Sequence, residues 1–207
     1  MDDQEFKVVS RWWQSMFLDA ALLKEKNIYP AAPTAHKAEL KRCDSADDVM
    51  LLEGFRALWT GLLNSGLEDT LLLLSKERQT QKLEAWATVA AALVHIKQDN
   101  GEKLAIQAGK KLNKQGEATD KSIVSELRFA KLQNTPTPDD FLKRLRRIIQ
   151  QLDGKVSPTK VAADILQWFD EHYDRQPRKA DKRITVQWAM DYYRSANQKA
   201  SKSTSSN

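Results

Sequence analysis

An all-α fold built as two stacked helical bundles is expected for this chain, and three observations carry that expectation. Residues that break helices are sparse, with seven Gly and six Pro in 207 residues, while Ala, Leu, Lys, Gln and Glu dominate. Apolar residues recur at helical spacing in one segment after another. The hydrophobic fraction of 41 %, with six Trp, six Phe and four Tyr, is enough to bury real cores.

The first segment, residues 4–26 (QEFKVVSRWWQSMFLDAALLKEK), places Phe6, Val9, Trp13, Met16, Phe17 and Leu23 on one face and predicts a single long helix, ended by the Pro-marked loop NIYPAAP. A short helical piece follows over His36–Cys43 (HKAELKRC). Ser45, with Asp48 three residues on, reads as a capping box that opens a helix through DDVMLLEGFRALWTGLLN. Leu83–Lys97 (LEAWATVAAALVHIK) is apolar almost all round, the pattern of a helix inside a bundle. DNGEK at 99–103 reads as the linker between a first bundle, residues 1–98, and a second, residues 103–195. The second bundle is expected to hold helices at Lys103–Leu112, Lys121–Leu132, Pro138–Asp153, Pro158–Tyr173 and Ile184–Ser195. Thr137-Pro138 and Ser157-Pro158 each put a hydroxyl at the cap and a proline at the first helical position, and Gly154 closes the helix begun at Pro138. Residues 196–207 (ANQKASKSTSSN) carry almost no apolar content, which predicts a disordered tail.

Charge divides the chain unevenly. Residues 1–100 hold 12 Lys and Arg against 15 Asp and Glu, and residues 101–207 hold 21 against 13. A positive second half concentrates polyanions, nucleic acid above all. The sharpest local case is FLKRLRRIIQQL, Phe141–Leu152. At about 100° per residue its apolar side chains share an arc of roughly 120°, and Lys143, Arg144, Arg146 and Arg147 take the rest of the circumference. Asp139 and Asp140 stand four residues before Lys143 and Arg144. Arg146 and Arg147 have no carboxylate at that spacing, so both are expected to be exposed and free to bind an anion. A merely solubilising face is the alternative. A second cationic cluster is the loop RQPRKADKR, with Arg175, Arg178, Lys179, Lys182 and Arg183, for which a flexible solvated loop is the alternative.

Catalytic and metal signatures are missing from the sequence. His36, His95 and His172 are scattered, with no second His or Cys at ligand spacing, and no metal or other cofactor is expected. His95 reads as a core histidine. GxxxxGK, GxGxxG and GxSxG patterns do not occur. Asp47/Asp48 and Asp139/Asp140 lie in first helical turns, where capping and the macrodipole account for them, and Asp170/Glu171 beside His172 reads as a solvated helix end. Cys43 is the one cysteine, so there is no internal disulfide. The opening MDDQEFK is acidic without a leader's apolar run, and the apolar stretches fall short of the roughly 18 residues that span a bilayer. A soluble cytoplasmic protein with no membrane partner is expected. The six tryptophans all sit in helical apolar patterns and are expected in the core instead of stacking on bases.

The ordered set KAELKRCDSADDVMLLEGFRALW, SELRFAKL, FLKRLRRIIQQL and DILQWF resembles the small-subunit (CasB) family of the type I-E CRISPR surveillance complex, Cascade. The likeness covers roughly residues 8–194. IQAGKKLNKQGEA and the Ser-rich tail depart from it, looking longer than in short members of that family, so no contact made there is carried over. The resemblance implies an all-helical, non-catalytic subunit, partnered by other Cascade proteins, by guide RNA and target DNA, and by a second copy of itself. It implies that the protein holds the opened target as an R-loop, guide-paired strand and displaced strand. It carries a nucleic-acid role to Lys41 and Arg42 in the first basic element, to Arg128 in Ser-Glu-x-Arg-Phe, and to Arg146 and Arg147. Lys37 and Lys143 join them from the helical wheel, and Arg178, Lys179 and Arg183 from the basic loop. A helical protein-interaction scaffold whose basic face docks an acidic protein is the alternative, and an independent helix-turn-helix regulator is a further one.

Overall fold

A computed structural model describes residues 1–28, 30–113 and 115–197. Among these residues the fold is helical without strands; the extended pairings are two isolated bridges, Gln98 with Lys155 and Leu112 with Ala118. The expected all-α class is therefore observed.

The apolar pattern of residues 4–26 folds as two helices, α1 (Asp3–Phe17) and α2 (Ala20–Glu25). Leu18 is extended, and the Asp19 carboxylate takes the Leu22 amide as a new N-cap. α3 (Thr34–Arg42) follows the loop. Ser45 caps α4 (Ala46–Met50) by accepting from the Asp48 amide, but its hydroxyl also donates to the Asp48 carboxylate. The helix expected to run on from there stops at Leu51 and restarts after the extended Leu52 as α5 (Glu53–Leu62). A π-helical turn at Leu63–Leu67, with Gly66 at φ 108°, then leads into α6 (Glu68–Leu72). In each case the apolar spacing continues across the break, so periodicity alone does not reveal it.

α7 (Lys76–Leu93) starts at Ser75 with two polar turns and is buried without interruption from Ala85 to Leu93. The second half comprises α8 (Leu104–Gly109), α9 (Glu126–Gln133), α10 (Pro138–Gln151), α11 (Pro158–His172) and α12 (Ile184–Asn197). Thr137 caps α10 as expected, whereas the Ser157 side chain makes no cap bond and lies against the Thr159 hydroxyl. α12 runs two residues past the expected start of the tail, because Ala196 still packs into the core; residues 198–207 of that expected tail lie outside the described residues.

Buried side chains from Val9 to Ala196 form one cluster. α7 packs against α10 and α11, α1 reaches α11, and α8 lies along α12. The segments 1–98 and 103–195 thus share a core, and as a boundary between bundles the 99–103 turn is a proposal. That turn is pinned: Asn100 Nδ2 donates to the Lys155 carbonyl at 2.9 Å, and the Ser157 amide to the Glu102 carbonyl at 2.9 Å. Phe141 on α10 stacks against Trp168 at 4.0 Å and faces Trp188 at 6.3 Å, which anchors α10 between α11 and α12. Five of the six tryptophans are buried and Trp59 packs at the core's edge, as their spacing predicts.

Candidate nucleic-acid interface

α9 and α10 stand side by side, and the chain between α8 and α9 folds over their open side. The Leu112–Ala118 bridge draws residues 110–113 and 115–123 together as a compact loop. Asn113 tightens it, accepting from the Gln115 and Glu117 amides at 2.9 Å each. The Ile123 amide donates to the Lys110 carbonyl and the Val124 amide to the Ala108 carbonyl, which closes the loop onto α8. An open groove of about 1290 Å³ is left between this loop, α9, α10 and the 152–155 turn.

The groove's charge comes from spacing along two helices. Arg128 and Lys131 lie three apart on α9, and Arg144 and Arg147 three apart on α10, so each pair shares a face. Lys121 and Lys155 add two more cations, against Asp120 and Asp153. Among the described residues none of these six cations is in an ion pair. Gln107, Asn113, Gln115, Gln150 and Gln151 contribute amides, and among the described residues no aromatic ring lines the groove. A surface of cations and amides without rings suits a sugar–phosphate backbone better than stacked bases.

Arg147 is exposed, as its lack of a carboxylate at i±4 predicts, and Arg128, singled out by the resemblance alone, is exposed beside it on the same groove. Arg146 is not. It is 8 % exposed, and its guanidinium donates through Nε to the Ala91 carbonyl at 3.1 Å, through Nη1 to the Cys43 carbonyl and through Nη2 to the Leu40 carbonyl at 3.5 Å. The expectation that Arg146 is free rested on the lack of a carboxylate at i±4, but its partners are backbone carbonyls at the C-terminal ends of α3 and α7. Helix ends carry unpaired carbonyls and partial negative charge, so a cation meets the same need that glycine caps meet elsewhere. Burial, partly offset by Cys43 and Asp44, pulls the guanidinium's pKa below its ordinary value.

Lys37 is also engaged within the fold: half-buried, it donates to the Met16 carbonyl at 3.2 Å and sits 4.6 Å above the Phe17 ring. Lys41 and Arg42 are exposed in the last turn of α3. Burial first, then the charges of Lys37 and Lys97, pull the Lys41 pKa down. Lys143 is exposed on α10 away from the groove lining, and Arg178, Lys179 and Arg183 are exposed on the loop before α12. Arg175 of that loop is paired with Asp170 at 3.0 Å and bonded to Gln81 at 2.9 Å, so it is not part of a free cluster.

Arg144, Lys131, Lys121 and Lys155 were missed by sequence reasoning. Arg144 looked paired with Asp140 four residues back, yet no such ion pair forms. The signal that finds Lys131 and Arg144 is the i, i+3 pairing with Arg128 and Arg147; only the fold finds the other two.

The cluster at the end of α11 is tied up structurally. Asp170 holds Lys82 and Arg175, Glu171 accepts from Gln167 and the Ile184 amide, and His172 stacks on Trp168 at 4.8 Å. His95 is half-buried with Nε2 lacking a partner, and burial, with Arg146 and Lys41 nearby, pushes its pKa down to about 4. Among the described residues no group of three or more His, Cys, Asp or Glu is placed to hold a metal ion, and no helix is long and apolar enough to cross a membrane.

A family model described as CRISPR-associated protein Cse2 matches residues 36–193. That span contains Arg146 and every groove cation and leaves out α1 and α2. No curated protein and no solved structure matches the chain.

Proposed function

The chain belongs to the CRISPR-associated Cse2 family, and from that premise we propose that it is a non-catalytic subunit of a Cascade surveillance complex whose α9–α10 groove holds a nucleic-acid backbone. The observation that carries this reading is the set of six cations, Lys121, Arg128, Lys131, Arg144, Arg147 and Lys155, facing one groove without an ion pair among the described residues. Exchange of a DNA duplex for a guide–target hybrid is nearly balanced in energy, so a few added phosphate contacts decide whether the opened target persists. Guide RNA, target DNA, the other Cascade proteins and a second copy of the chain are the partners this reading implies. Lys41 and Arg42 form a second contact region, and Lys143, Arg178, Lys179 and Arg183 are outlying ones. Phosphate contacts carry no base information, so the groove supports every target alike and the guide supplies sequence choice.

Leu72 and Leu73, 73 % and 88 % exposed at the C-terminal end of α6, favour a second reading in which the chain serves chiefly as a docking scaffold. Cascade assembled with the triple variant Arg128→Ala, Arg144→Ala, Arg147→Ala separates the two. The backbone reading expects complete complexes that lose target by the same factor with several unrelated guide–target pairs. Incomplete complexes, or full retention of target, would favour docking.

A further inference from the structure

We propose that Arg146 is a positioning residue that sets where the basic end of α3 stands beside α10, and so acts on nucleic-acid binding without touching nucleic acid. The binding half of this inference rests on the groove reading above; the positioning half rests on geometry alone.

α3 has nine residues, shorter than the roughly 12–15 that make an isolated helix stable, and its N-cap Pro33 offers no side-chain bond. Its C-cap, Cys43, is extended at φ −69° and ψ 136°, so the chain does not turn back to satisfy its own last carbonyls. Arg146 takes two of these, on Leu40 and Cys43. Its third bond explains a slip at the end of α7: the His95 amide bonds Ala92 at 3.1 Å instead of Ala91, and the freed Ala91 carbonyl accepts from Arg146 Nε. One guanidinium thereby closes two helix ends, and no carboxylate competes for it among the described residues.

The consequence follows from what flanks these bonds. Lys41 and Arg42 lie between the two carbonyls, on Leu40 of α3 and on its C-cap Cys43, that Arg146 holds, and Arg147, the next residue on α10, lines the groove. α10 therefore carries one cationic surface itself and fastens the other. The body of α3 is held separately, by buried Leu40 against Gly54 and by Lys37 on the Met16 carbonyl, so loss of Arg146 frees the basic end without releasing the whole helix. A lysine at 146 keeps the charge but lacks the planar fork that reaches three carbonyls.

The test compares the full chain, Arg146→Lys, the double variant Lys41→Ala/Arg42→Ala, and all three changes together. Hydrogen exchange and affinity for a labelled mixed-sequence single-stranded DNA are both read. Arg146→Lys should speed exchange by about tenfold or more at residues 38–45 and 91–96 while α11 and α12 stay unchanged. It should weaken DNA binding about as much as the double variant, and the triple variant should be no weaker than the double. Wild-type exchange and affinity in Arg146→Lys would overturn the proposal. So would additive losses in the triple variant, which would make Arg146 a phosphate contact in its own right. Should the wild-type chain bind no DNA, the groove reading fails, and the exchange data alone decide whether Arg146 places α3.

Discussion

Two adjacent arginines on α10 open onto regions with opposite logic. Arg146 enters a closed seam where the ends of α3 and α7 converge, and every donor direction it uses meets a backbone carbonyl. Arg147 enters an open groove with Arg128, Arg144 and three lysines, where no protein acceptor neutralises it among the described residues. The seam spends its cation on internal order, and the groove leaves its cations to whatever anion comes. Charge without an acidic neighbour is therefore not by itself a mark of function, because helix ends accept cations as readily as carboxylates do.

The largest effect that separates the regions is on stability. Arg146→Ala strands three carbonyls, and a loss of about 3 to 5 kcal/mol is expected in denaturant unfolding. Arg147→Ala should change stability by less than about 0.5 kcal/mol. Equal stability of the two variants would break the comparison.

Gly154 gives the next effect. It closes α10 at φ 71°, its carbonyl accepts the Lys97 amide at 2.9 Å, and a Cβ there would stand 2.7 Å from the His95 carbonyl. Gly154→Ala should therefore cost about 2 kcal/mol, from left-handed strain and a clash with backbone. A neutral result by thermal melting would show that the α7 and α10 exits are not locked together.

The smallest effect is on pH dependence. His95, beside the seam, has its folded pKa pushed down to about 4, chiefly by burial and then by Arg146 and Lys41. An unfolded imidazole takes its proton near pH 6.5. Between about pH 6.5 and 4 the unfolded chain therefore binds more protons, and the stability His95 contributes, whole above that window, is lost as pH falls through it. His95→Gln should show a shallower acid decline in melting temperature than the wild type, whereas Arg147→Ala should follow the wild-type curve.

Much of the fold could be read from the chain. Thr137-Pro138 starts α10, and the apolar run after Leu83 lies at the centre. The breaks at Leu18 and Leu51–Leu52 were hidden because the apolar spacing carries through them, and only local capping by Asp19 and an extended Leu52 interrupts the helix. Of the candidate site, Arg128 was legible only through the resemblance of Ser-Glu-x-Arg-Phe, and Arg147 as a cation without a local partner. Arg146 looked the same, since the carbonyls it meets come from residues 40, 43 and 91, too distant in sequence for any periodicity to register. Lys121 and Lys155 sit on turns that only the folded chain brings to the groove.

The central claim is that the groove follows phosphates, and the salt dependence of binding measures it most directly. The logarithm of affinity for mixed-sequence single-stranded DNA, plotted against the logarithm of salt concentration, should flatten by about 2 units when Arg128, Arg144 and Arg147 are all replaced by Ala, at about 0.7 per phosphate contact. Unfolding curves of the two proteins should coincide. An unchanged slope in a folded triple variant would contradict the account and leave the groove as a docking surface for protein.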